Sequence, residues 1–238
     1  MYFKPLIAVI IFLASFYFSN AGSNEEKYLK LKKLFDEGRY EDCAFKAENF
    51  TYNENLKKDP EPHLYLSKCY FELSKMPEKS ELYPKAFDDA FKYASKSVKY
   101  DKEGTIKKEE ANFYDNLKQA GISYAENFFK SGNYSKTAKY LDKVLKIDEE
   151  DNYTRLTKGI CDVLARNTGE GSMEMNTALN SLNSNNTIST SELSQKLLAN
   201  AFIKYSEYLT NNQLKDSAQG TIIKAKLLLP EQQVLKNL

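Results

Sequence analysis

Residues 118–151 read KQAGISYAENFFKSGNYSKTAKYLDKVLKIDEED, two amphipathic helical patterns joined by a glycine turn without a gap. Numbered 1 to 34, the stretch has a small residue at position 8 (Ala125) and aromatics at 11 and 12 (Phe128, Phe129). Gly132 stands at 15, Tyr134 at 17, and Leu141, Val144, Leu145 and Ile147 at 24, 27, 28 and 30. A small residue lets two antiparallel helices approach, and glycine accepts the positive φ that ends the first one. One such hairpin cannot bury its own apolar face, so this pattern commits the chain to stacking several of them. No stretch shows the strict alternation of a half-buried strand.

The same ruler fits residues 199–232 without gaps. Ser206 falls at 8, Ala218 at 20, Ile222 at 24, Ala225 at 27 and Pro230 at 32. Position 15 there is Gln213, preceded by Asn211-Asn212, and asparagine tolerates left-handed backbone. An earlier unit places Gly38, Tyr40 and Cys43 at 15, 17 and 20. Another begins with Leu66-Ser67 and Tyr70-Phe71 and resumes at Ala90. Its two halves are separated by extra residues over 74–85, with Pro77 and Pro84, expected to project as a loop. Residues 152–184 fit worst: Gly159 lands at 8, but Asp162 occupies 11. The stripe Leu156, Ile160, Val163, Leu164 suggests a shifted register, and Gly169-Glu170-Gly171 reads as the break before a second helix. The units are thus 24–57, 60–101 with the insertion, 104–151, 152–188 and 189–238. Thr105 to Lys118 is expected to extend the third unit's first helix, and Ser189-Thr190-Ser191-Glu192 reads as a capping box.

This pattern resembles the tetratricopeptide repeat (TPR). The resemblance implies an all-α chain: a TPR-like α-solenoid of about five antiparallel helix pairs forming a right-handed superhelix, with 23–238 as one domain. It further implies a concave groove lined by positions 2, 5, 9, 12 and 13 of each first helix, and a protein partner, a peptide or helix, held there. Carried across, those positions give Tyr28, Lys32, Phe35 and Asp36, then Leu64, Lys68, Phe71 and Glu72. The later units supply Ile122, Glu126, Phe129 and Lys130, then Ile203, Glu207 and Asn211. Aromatic anchors beside charges suit such a partner. The position-12 aromatics Phe35, Phe71 and Phe129 can equally pack between helices, since a stripe at helical spacing is usually core. Chaperone tails are disfavoured, because the family's carboxylate clamp needs Lys and Asn where Tyr28 and Lys32 stand.

Composition narrows the function classes. Net charge is +1, and the basic residues are nearly all lysine, with only Arg39, Arg155 and Arg166. Neither a concentrated positive field nor a supply of guanidinium forks is present, which argues against nucleic acid. The N-terminal residues 1–22 read as a secretory signal peptide: Lys4, the apolar run Leu6 to Phe18, then Ser19-Asn20-Ala21. Export to a bacterial periplasm or medium is expected; retention as a signal anchor is the alternative, and the apolar run is short for a span. Cys43, Cys69 and Cys161 are expected as small buried hydrophobes, a Cys43–Cys69 disulfide being the other option.

The search for chemistry is thin. His63, the sole histidine, follows Pro62 in what reads as an exposed connecting segment, without helically spaced partners for a metal. No nucleophile, base and orienting group stand together, so no enzyme, cofactor or metal is expected. Sequons occur at Asn49, Asn133, Asn152 and Asn185. A glycan- or small-molecule-binding module is the runner-up, weakened by the lack of tryptophan. Leu227-Leu228-Leu229 and Val234-Leu235 either cap the last helix or serve a homodimer.

Overall fold

The computed structural model describes residues 28–184 and 191–236. The expected signal peptide and most of the Asn/Ser/Thr segment before Ser191 lie outside these residues. Every regular element among the described residues is helical. The first, α1, covers 28–36. It is followed by α2 (Tyr40–Tyr52), α3 (Pro60–Leu73), α4 (Ala86–Tyr100), α5 (Thr105–Glu109), α6 (Ala111–Lys130) and α7 (Tyr134–Leu145). The remainder are α8 (Asn152–Leu164), α9 (Thr168–Ser184), α10 (Glu192–Asn211), α11 (Lys215–Leu228) and α12 (Gln233–Lys236). Contacts group them into two compact units, divided between Glu109 and Glu110. The division falls inside the segment expected to be one continuous helix, which instead breaks at Glu110 (φ −104°, ψ 25°).

In the first unit α2 packs on α3 and α3 on α4. Tyr28, Leu31 and Leu34 of α1 join Cys43, Ala44 and Ala47 of α2 and Leu66 and Cys69 of α3 in one core. In the second unit α6 pairs with α7, α7 with α8, α8 with α9 and α10 with α11. α10 packs on α8 and also reaches α6.

Four of the hairpins turn by one device. The first helix ends on a residue of positive φ: Gly38 (72°), Gly132 (73°), Arg166 (71°) and Gln213 (64°). In each, that residue's N–H donates to the carbonyl three back, and the next N–H donates to the carbonyl five back. The bonds are Gly132 to Phe129 (2.9 Å) with Asn133 to Phe128 (2.9 Å), and Arg166 to Val163 (2.9 Å) with Asn167 to Asp162 (2.8 Å). Gly38 and Gln213 repeat the arrangement. This is the Schellman closure, which satisfies carbonyls the helix leaves open. All four stand at position 15 of the ruler, so the weakest unit keeps register after all. Gly169 and Gly171 lie inside α9, not at its break, and in the last unit Gln213 itself, not the asparagines, takes the left-handed conformation.

Position 8 meets position 20 in every unit. The Cys43 thiol donates to Leu31 O (3.3 Å), and Ser67 Oγ donates to Ala90 O (2.7 Å). Thr137 Oγ1 lies 3.5 Å from Ala125 O, and Ser206 Oγ donates to Ala218 O (3.2 Å). In α8–α9 both residues are glycine: a Cβ on Gly171 would sit 2.6 Å from Gly159 O, and one on Gly159 2.8 Å from Gly171 O. Only backbone on both sides permits that approach.

Other expectations change. The insertion does not project freely: Tyr83 donates to Glu41 of α2 (3.1 Å), and Lys79, in a short 3-10 turn at Pro77–Lys79, pairs with the same carboxylate. α10 is capped by Ser191, which accepts from Ser194 N (3.1 Å), two residues later than the expected box. Of the C-terminal apolar residues, Leu229 and Leu235 are buried against the last hairpin, while Leu227 is exposed.

Candidate functional site

The groove residues divide between the two units, and burial sorts them. In the first unit Tyr28 is 2% exposed and donates to Asp59 Oδ2 at 2.5 Å, its ring edge-on to Phe50. Burial and the Asp59 carboxylate push its hydroxyl well above the ordinary value. Asp59 also caps α3 through Glu61 N (3.2 Å), so Tyr28 ties α1 to the start of α3 and is no groove residue. Phe71 is also buried, beneath the Lys75 ammonium 3.9 Å from its ring centre.

What faces outward on α1 and α3 is a smaller patch. Phe35 is half-buried against Tyr40 (5.2 Å between centroids) and Tyr65 (6.4 Å). Lys68 lies across both rings, 5.7 Å from Phe35 and 5.6 Å from Tyr65. Such cation–π contacts hold the ammonium in place without neutralising it. Beside it Lys32 is exposed and pairs with Asp36 one turn on. The patch therefore offers a positioned cation, a half-covered aromatic and an exposed ion pair.

In the second unit Phe129 is buried against Tyr134 (5.5 Å), and Glu126 is 8% exposed with Lys130 at 3.0 Å. Lys130 itself is exposed. Leu64 and Ile122 are core, while Glu207 is exposed and paired with Lys204 (2.7 Å). The aromatics left open between groove and core thus resolve individually: Phe71 and Phe129 are buried, and Phe35 is shared.

The chain matches no family model and no curated protein.

Three features are missing from the sequence reading. His63 is not in an exposed connection: it is 2% exposed, one turn inside α3. Asp59-Pro60 is a cap-and-first-turn signal, and it could have placed His63 inside a helix. Its Nε2 donates to Lys57 O at 3.0 Å, and its ring lies against Tyr93 (6.1 Å) and Tyr100 (5.3 Å). Burial holds the imidazole below its ordinary pKa, with Lys96 adding to the effect.

The second is a buried ion cluster across α8 and α9. Lys158, 5% exposed, donates to Asp162 (2.8 Å), Glu170 (2.9 Å) and Glu174 (3.4 Å). Burial alone would lower this ammonium; its bonds to Asp162 and Glu170 outweigh that and raise it. The i, i+4 spacings of Lys158/Asp162 and Glu170/Glu174 were the readable signal. The third is Lys118, held between Asp148 (2.7 Å) and Asp151 (2.8 Å), the latter also capping α8. Both clusters sit in hairpin packing and serve structure.

Cys43, Cys69 and Cys161 are all buried free thiols, so the disulfide entertained from the sequence is not formed. The neighbouring Cys43 thiol and burial push the Cys69 thiol far up, so it is inert as a thiolate. Among the described residues no three His, Cys, Asp or Glu cluster to hold a metal, and no helix is long and apolar enough to cross a membrane. Of the sequons, Asn152 is buried with its Nδ2 donating to Glu150 O (3.1 Å), whereas Asn133 is half-buried and caps α7 through its Oδ1.

Proposed function

We propose that the chain is an exported, non-catalytic scaffold of the tetratricopeptide type, whose stacked hairpins form a right-handed superhelix and hold a protein partner in a bacterial cell envelope. The observation that carries this reading is the recurring register. Position 8 meets position 20 in five hairpins, and four of them close on positive φ at position 15. A chain that repeats one supersecondary unit presents an extended face, and such faces bind extended or helical peptides. Export is supported by the charge, apolar run and small residues of the first 22 positions.

The face proposed for the partner is that of α1 and α3, where Phe35 supplies a half-exposed anchor and Lys68 and Lys32 supply positive charge. An apolar segment flanked by carboxylates fits it. In the second unit the equivalent exposed charge is Lys130, paired with the buried Glu126.

The test uses a Lys32→Glu/Phe35→Ala/Lys68→Glu variant beside wild type. Partners are first captured from the native envelope by crosslinking, and affinity is then measured with the purified partner. Loss of binding, with helicity and melting retained, supports the reading. Equal affinity for both proteins refutes the α1/α3 face.

A further inference from the structure

The last hairpin leaves one helix face uncovered. α11 packs on α10 and meets the short α12, and its only buried residues are Ala218 and Ala225. At 3.6 residues per turn, Asp216, Gly220, Ile223 and Leu227 fall within about 60° of one another, on the side opposite those alanines. Ile223 is 54% exposed and Leu227 78%.

Packing within the chain does not call for these residues. Ile223 and Leu227 occupy positions 25 and 29 of the repeat, where the other units place polar groups: Glu48 and Tyr52, Ser95 and Lys99, Asp142 and Lys146, Asn176 and Asn180. Asp142 and Lys146 pair with each other on the surface at 2.6 Å, and the last unit puts hydrocarbon in place of that pair. Gly220 lies mid-helix, where glycine costs stability, and a Cβ on it would meet nothing within 4 Å. An apolar line with a gap in its middle suits a surface that approaches closely from outside the chain.

Charge identifies that surface. Asp216 and Lys224 stand four residues either side of Gly220, and neither side chain has an ion pair or hydrogen bond among the described residues. A lipid surface or an acidic partner would have to desolvate or oppose the Asp216 carboxylate on the outermost line of the helix. A second copy of α11 running antiparallel across Gly220 instead brings its Lys224 level with Asp216, and its Asp216 level with Lys224. A two-fold interface repeats every such pair, and the antiparallel helix dipoles attract.

We propose that the chain forms a two-fold dimer in which the outer faces of two α11 helices cross antiparallel at Gly220, burying Ile223 and Leu227 of each copy beside the crossing. The contact uses no residue of the α1/α3 face.

Sedimentation equilibrium of the full-length chain, from low micromolar to a few hundred micromolar, reads the association of the 27.3 kDa monomer. Wild type should dimerise reversibly, and Ile223→Ser/Leu227→Ser should stay monomeric with unchanged helicity. Asp216→Lys and Lys224→Asp each set like charges together twice, so each alone should dimerise roughly tenfold more weakly. Mixed in equal amounts, the two variants should pair with wild-type affinity, because every contact between them then joins a lysine to an aspartate. All variants share the same N-terminal residues, so differences among them report on α11. A dimer that survives Ile223→Ser/Leu227→Ser, or a mixture no stronger than its components, would overturn the proposal. So would a wild type that stays monomeric, and its flotation with phosphatidylglycerol vesicles would then assign the face to a membrane.

Discussion

Replacing Gly171 by alanine isolates the register that defines the hairpins. A Cβ there would stand 2.6 Å from Gly159 O, 2.7 Å from Val163 Cγ2 and 2.8 Å from Val163 N. Ordinary contact begins near 3.4 Å, so α8 and α9 must separate by about 0.8 Å, and two of the three obstructing atoms are backbone that no rotamer change can clear. Separation also stretches the Lys158 bonds to Glu170 and Glu174, which cross the same interface. Overpacking of this kind costs about 1–3 kcal/mol, and the loosened ion cluster places Gly171→Ala at the upper end. That corresponds to a fall in melting temperature of roughly 4–12 °C for a chain of this size. Gly169, two residues earlier in α9, has nothing within 4 Å of its Cβ position, so Gly169→Ala should be neutral or stabilise by up to about 1 kcal/mol. Thermal denaturation followed by circular dichroism reads both. Equal effects of the two variants would refute backbone-to-backbone packing at positions 8 and 20.

Four further outcomes are expected. Gly132→Ala should destabilise by about 1–2 kcal/mol, the cost of left-handed backbone for an L side chain, whereas Arg166→Gly should stabilise; urea titration of both variants checks the signs. Lys158→Met removes the cation bonded to Asp162 while Arg155 stays with Glu174, leaving the buried Asp162 carboxylate unpaired, and should cost about 3 kcal/mol in the same assay. Without reductant, Ellman titration should find three thiols after denaturation and essentially none before it. Finally, buried His63 has a folded pKa below its unfolded value of about 6.5, so between the two values the unfolded chain binds the extra proton. Stability should therefore fall as pH drops through about 6.5 and level off below the folded pKa, and His63→Gln should flatten that segment of the pH profile.

The all-helical class and the hairpin turns at Gly38 and Gly132 were legible because glycine announces positive φ. Arg166 and Gln213 adopt the same conformation without announcing it, since the constraint comes from helices already packed on either side. For that reason Gly169-Glu170-Gly171 was misread as a break: glycine has two uses, and here it serves close packing. His63 was misplaced because Pro62 was weighed as a breaker, although Asp59 and Pro60 start a helix and carry it inside. Lys32 and Lys130 were readable as exposed charges, but Glu126, which is buried, and the aromatics were not. Position 12 lies at the edge of the buried stripe, and only the neighbouring rings decide that Phe71 and Phe129 go under while Phe35 stays half open.

The α1/α3 face is the surface proposed to receive a protein partner. A photo-crosslinking amino acid placed at Lys32, on that face, and separately at Phe45, exposed on α2, probes it in the native cell. A discrete adduct is expected from position 32 and none from position 45. An adduct from position 45 alone, or from neither, would refute the proposal.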